Sequence, residues 1–236
     1  MKRAQTLMFA VPLSLALAAC GGAGTPDADA PASPEPATPE AAAPDAAPAE
    51  ASPEAATGFG DGHKAFMGNL VALCGQAFQG RIVANEPAQP DDAFEGQDLV
   101  MHVRECGKEE IKLPFHVGDD NSRTWVLTRT DDGLRLKHDH RLEDGSDDPV
   151  TMYGGDTASA GSGTRQEFPV DKESIELFER EGLAVSVTNT WAMEVHPGER
   201  FVYELARPGG RLFQVEFDLT TPVDLPPTPW GHDDLP

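Results

Sequence analysis

Basic side chains are scarce in this chain: 18 lysines and arginines face 40 aspartates and glutamates, a formal net charge of −22. No basic patch with interleaved aromatics relieves that imbalance, so nucleic acid and anionic lipid headgroups would be repelled. Catalytic signatures are missing as well. There is no phosphate-binding loop, no dinucleotide fingerprint and no His-Glu-x-x-His zinc motif. Ser159, in Asp156-Thr157-Ala158-Ser159-Ala160-Gly161, misses a nucleophile elbow because Thr157 stands where the first glycine belongs. Cysteine occurs three times without a Cys-x-x-Cys spacing, which argues against a thiolate metal site. The sequence therefore assigns no catalytic residue, metal or cofactor.

What is present begins with Lys2 and Arg3, followed by an uncharged apolar run from Leu7 to Ala19. A bilayer span needs about 20 apolar residues, so this run is too short to cross as a mature helix. Its length and basic flank are those of a secretory signal segment. The run ends Leu17-Ala18-Ala19-Cys20-Gly21, which resembles the lipobox of bacterial lipoproteins. That resemblance implies cleavage before Cys20, a diacylglyceryl group on its thiol and a further acyl chain on the new amino terminus. Several acyl chains on one residue hold a membrane far more tightly than one. Gly21 stands where an aspartate would imply inner-membrane retention, so the resemblance implies an outer-membrane address in the cell envelope, with the membrane itself as a partner through the lipid.

Residues 21–57 are almost wholly Ala, Pro, Glu, Asp, Ser and Thr, with seven acidic residues and no basic, aromatic or large aliphatic one. Such a segment cannot bury enough apolar surface to offset the entropy of ordering it, and its recurrent prolines keep it extended. It reads as an acidic tether. The organisation expected is a signal segment over 1–19, a lipidated cysteine and tether over 20–57, and one globular domain over 58–236. Setting aside the tether's acids and the two basic residues of the signal leaves 33 acidic against 16 basic residues in that domain. Cys74 and Cys106, an even pair in an oxidising compartment, read as one disulfide. Closing that loop would stabilise the fold by ~3–4 kcal/mol in the chain-entropy model.

Within the domain, Phe66, Leu70 and Leu73 recur at helical spacing over 63–73, stopped by Gly75. A second helix is expected over 171–181, with Asp171 as N-cap, Ile175 and Phe178 inward and Gly182 as its stop. Elsewhere the period is two. Leu99, Met101 and Val103 alternate with His102 and Arg104; Ile111, Leu113, Phe115 and Val117 with Lys112 and His116. Trp191, Met193 and Val195, then Phe201, Tyr203 and Leu205, then Phe213, Val215, Phe217 and Leu219 continue the pattern across Pro-Gly turns. Strands with one apolar face and short local turns imply a mainly β, antiparallel meander with a single buried face. Such strands must pack as a sandwich or close into a barrel. The local turns favour a closed or partly closed β-barrel with a short N-terminal helix and one inserted helix.

The sharpest alternation is Leu134, Leu136, His138, His140, Leu142 against Arg135, Lys137, Asp139, Arg141, Glu143, after the Asp131-Asp132-Gly133 turn from a strand holding Trp125. This stretch, Lys137-His138-Asp139-His140-Arg141 through Glu143-Asp144-Gly145 to Thr151-Met152-Tyr153-Gly154-Gly155-Asp156-Thr157, resembles a segment of an uncharacterised family of bacterial secreted proteins, and the resemblance implies no reaction. His138-x-His140 places two imidazoles on one strand face roughly 7 Å apart. It resembles the first motif of metal-binding cupins, but Glu143 comes too soon and no second motif follows. Parity turns both rings inward, where they are buried histidines satisfied by neighbours, polar groups of a ligand pocket, or metal ligands. Asp139, by the same parity, faces outward and partners neither ring. Three functions follow: a binding module holding a small, partly apolar ligand near His138, His140, Tyr153, Trp125 and Trp191; an envelope interaction protein without a ligand; and a metal-dependent enzyme using the histidine pair.

Overall fold

A computed structural model describes residues 58–88 and 92–235. The signal segment, Cys20 and the tether lie outside the described residues. The chain enters α1 (Asp61–Val71), then eleven strands interrupted by one α-helix and a short 3-10 turn (Ala184–Ser186). The first seven are β1 (Ala77–Glu86), β2 (Leu99–His102), β3 (Glu105–Cys106), β4 (Glu110–Val117), β5 (Asp120–Arg129), β6 (Leu134–His140) and β7 (Tyr153–Asp156). β8 (Arg165–Pro169), α2 (Lys172–Arg180), β9 (Thr190–His196), β10 (Arg200–Arg207) and β11 (Arg211–Asp218) complete it.

Every pairing is antiparallel, and the sheet runs β7-β6-β5-β4-β2-β1-β11-β10-β9-β8, with β3 paired to β4. Apart from β1 beside β11, and β2 beside β4 with the short β3 between them in the chain, neighbours in the sheet are neighbours in the chain, so this is a meander and not a Greek-key sandwich. The two end strands nearly meet. A single bridge, Gly155 to Val170, joins them, and the Asp171 amide donates to the Gly154 carbonyl at 2.9 Å. The result is a nearly closed barrel, as the local turns imply.

α2 fastens that seam. Asp171 accepts from the Ser174 amide at 2.8 Å as N-cap and pairs with Lys137 of β6 at 2.6 Å. Ser174 in turn accepts from the Gly154 amide at 2.7 Å. Phe178 is buried, whereas Ile175, expected inward, is half-buried. α1 closes the end of the barrel by the β5–β6 turn: Phe59 receives Arg129 on its ring and donates its amide to Asp131, and Phe66 and Leu70 are fully buried in the core. Cys74 and Cys106 are bonded, with Cα atoms 6.2 Å apart, tying the segment after α1 to β3.

Two expectations need correction. β6 ends at His140, and Leu142 is exposed rather than inward. The chain leaves the sheet there because Leu142 donates to Ser146 in a turn, held by Arg141 paired with Asp147 at 2.6 Å. The outer face is also not uniformly solvated. His102, Arg104, His116 and Asp139 point outward by parity yet are buried, because the C-terminal segment lies over them. Val223 donates to Ala77 and Trp230 to Asn121, while His232 approaches Asp139 at 3.5 Å.

Candidate functional site

The end of the barrel opposite α1 is hollow. A cavity of about 420 Å³ opens there, and His138, His140, Tyr153, Trp125 and Trp191 all line it. The register explains the gathering: Trp125 pairs with His138, His138 with Tyr153, and Arg123 with His140 across β5, β6 and β7. β9 and β10 bring Trp191 and Tyr203 from the other side.

Trp125 stacks on Tyr203 at 4.4 Å and on Phe115 at 4.9 Å between ring centroids. Tyr153 stacks on His138 at 4.7 Å, with Trp191 tilted against that imidazole at 5.1 Å. The chain has two tyrosines, and both are in this wall. Offset and tilted aromatic pairs of this kind prefer these separations and give rigid apolar surfaces.

Both nitrogens of His138 are engaged. Nδ1 lies 3.1 Å from the Tyr153 carbonyl, which only accepts, so Nδ1 carries the proton. Nε2 is then the acceptor for the Tyr203 hydroxyl at 2.8 Å. Burial, reinforced by His140, lowers the His138 pKa to about 3, so the ring stays neutral in this arrangement. Its lone pair is already used, which leaves none for a metal. Among the described residues no group of three or more His, Cys, Asp or Glu could hold a metal ion.

His140 sits half-buried nearer the mouth, with Nε2 3.2 Å from the Tyr153 hydroxyl. Burial and then the Arg123 charge lower its pKa to about 4, and burial pushes the Tyr153 hydroxyl up to about 12. The inner cavity is thus neutral at physiological pH: apolar rings with a few fixed hydroxyl and imidazole groups. His138 is thus hydrogen-bonded on both nitrogens and lines the cavity.

Sequence reasoning missed the rim. Arg123, Arg207 and Arg211 line the cavity, as do Asp148, Asn189 and, from the segment after α2, Leu183. A signal existed. Arg123 continues the inward parity of Trp125 and Leu127, Arg207 that of Tyr203 and Leu205, and Arg211 that of Phe213 and Val215. Asp139, by contrast, is covered outside the barrel, where burial raises its pKa but the nearby His232 and then Arg141 outweigh it and hold it down to about 2.

Fold and site together describe an up-and-down β-barrel with one aromatic-walled cavity among its described pockets. No family model, no curated protein and no solved structure matches this chain.

Proposed function

We propose that this chain is an envelope lipoprotein whose barrel binds a small, largely apolar molecule. The observation that carries the binding reading is the cavity itself. Its volume falls in the range of small-molecule sites, about 300–1,000 Å³, and a few oriented polar groups interrupt its apolar wall. A barrel with no ligand to hold would gain from filling that space, since unfilled core volume is destabilising. The Cys20 lipobox resemblance supports the address, and the acidic tether supports a domain held away from the membrane surface.

The binding reading predicts saturable uptake of phenylnaphthylamine, a neutral aromatic probe, by the full chain. Leu205→Trp, which fills the cavity from β10, should weaken that uptake by about tenfold or more while the near-UV circular dichroism still reports a folded barrel. Absence of saturable uptake by the folded wild-type chain would sink the reading. The address predicts that wild-type protein partitions with membranes and carries acyl mass, and that Cys20→Ser loses both. Equal, non-acylated behaviour of the two proteins would end the lipoprotein reading.

A further inference from the structure

The rim of the cavity carries an unusual charge arrangement for so acidic a domain. Arg81, Arg104, Arg123, Arg129, Arg135, Arg141, Arg165, Arg180 and Arg200 each have a carboxylate within 4.0 Å. Arg207 and Arg211 have none among the described residues. They are also direct cross-strand partners at the end of the β10–β11 hairpin, where like charges facing each other are destabilising. Both line the cavity.

Their hydrogen bonds point the same way. Arg211 donates to Asn85 Oδ1 at 2.7 Å and lies over the Phe213 ring, contacts that orient the guanidinium without neutralising it. Arg207 Nε is buried with no hydrogen-bond partner among the described residues. Asn189, also on the cavity wall, is nine-tenths buried or more, and its Oδ1, an acceptor, lacks a donor among the described residues, so it would take a hydroxyl or N–H of a ligand beside the anion rather than the anion itself. Asn189 immediately precedes Thr190, the residue paired with Ala206, so Asn189, Arg207 and Arg211 fall in one row across β9, β10 and β11. Buried polar groups are normally satisfied, so the unpartnered Arg207 Nε donor, beside an Arg211 that is oriented but not neutralised, marks where a ligand's acceptor belongs.

We propose that the ligand is an amphipathic monoanion, a flat apolar body carrying one carboxylate or similar oxyanion, bound with the anion on Arg207 and Arg211 and the body against Trp125 and Tyr203. The planar guanidinium forks suit an oxyanion, and charge-assisted hydrogen bonds are the stronger kind. The body lies in the part of the cavity that His138 and Tyr153 keep neutral.

This inference rests on the cavity being a binding site, and one matched pair of probes separates the two. Anilinonaphthalene sulfonate and phenylnaphthylamine share their rings and differ in the sulfonate. The full wild-type chain should bind the sulfonate about tenfold to a hundredfold more tightly than the neutral probe. Arg207→Gln with Arg211→Gln should erase that preference, so that the sulfonate binds no more tightly than the neutral probe does to the same variant. On unaltered protein, raising salt from about 0.05 to 0.5 M should weaken the sulfonate alone, because the Debye length shrinks across that range. If the wild type shows no preference, or no salt effect, or the double variant keeps the preference, the anion proposal is overturned and the cavity reading survives. If neither probe binds the folded chain, the cavity reading fails and takes this proposal with it.

Discussion

Lowering the pH from 6.5 to 5 is expected to cost this domain about 4 kcal/mol, well before its carboxylates titrate. The histidines are the reason. His138 has its pKa lowered to about 3 by burial and by His140. His140 and His102 are each lowered to about 4, burial being the largest cause for both. A group whose folded pKa lies below its unfolded value gives its full stability above the unfolded value, here near 6.5. It loses that stability as pH falls toward the folded value, because only the unfolded chain takes up the proton. His138 accounts for about 2 kcal/mol of the loss by pH 5; His140 and His102, with smaller shifts, each add a smaller share. Asp139, held to about 2, adds a second loss only below its ordinary range near pH 4. Urea midpoints at pH 7.5, 6 and 5 should therefore fall steeply, against a total stability of about 5–15 kcal/mol for domains generally. His102→Leu, which removes a buried and unpartnered Nε2 on the outer face, should make that fall shallower. A midpoint that stays flat from pH 7.5 to 5 would contradict the burial of these rings.

Gly155→Ala is expected to open the barrel. A Cβ at Gly155 would stand 1.8 Å from the Pro169 carbonyl oxygen and 2.7 Å from its carbon, both backbone atoms that no rotamer change can move. These atoms belong to the strand that Gly155 bridges, so the only relief is separation of β7 from β8. The loss should be about 3 kcal/mol or more, at the upper end of overpacking effects, since the bridge and the Asp171–Gly154 bond go with it. Hydrogen exchange at residues 153–156 and 165–171 should rise more than elsewhere. Gly68→Ala makes the control. Its added methyl in α1 meets nothing within 4 Å, so helix propensity alone should raise stability by about 0.5–1 kcal/mol. If Gly155→Ala matches wild type in urea, the seam is not closed as described.

These effects show which parts of the molecule the residue pattern made legible. Alternation of Leu134, Leu136 and His138 with charged residues named β6, its inward face and its register, because a slip of one residue would bury the charges instead. Asp171 and Gly182 bracketed α2 correctly, since an N-cap and a stop are local devices. The turns named the meander, because a two- to four-residue connection leaves a strand nowhere to go but beside its predecessor. β1, β7 and β8 were not legible. Gly80, Gly154 and Gly155 interrupt β1 and β7 where another backbone or ring comes close, and Phe168 is followed directly by Pro169, so their strands lack the alternation that marks the others. Leu142 misled because periodicity continues past the point where Ser146 and Asp147 turn the chain away.

By itself the sequence determined the class: mainly β, antiparallel, meandering, with one disulfide and with the strand aromatics, His138 and His140 directed to one face. Each of these follows from contacts between residues near in the chain or from a side chain's parity on its own strand. Only the tertiary structure decided that the barrel is plugged at one end and hollow at the other, because that depends on where α1 and α2 dock. It alone set Tyr203 on His138, 65 residues apart in sequence. It alone left Arg207 and Arg211 without carboxylates among the described residues, while the C-terminal segment covered charges that parity had turned outward. Charge pairing and burial across a sheet are set by which distant strands become neighbours, and parity along a single strand carries no record of that.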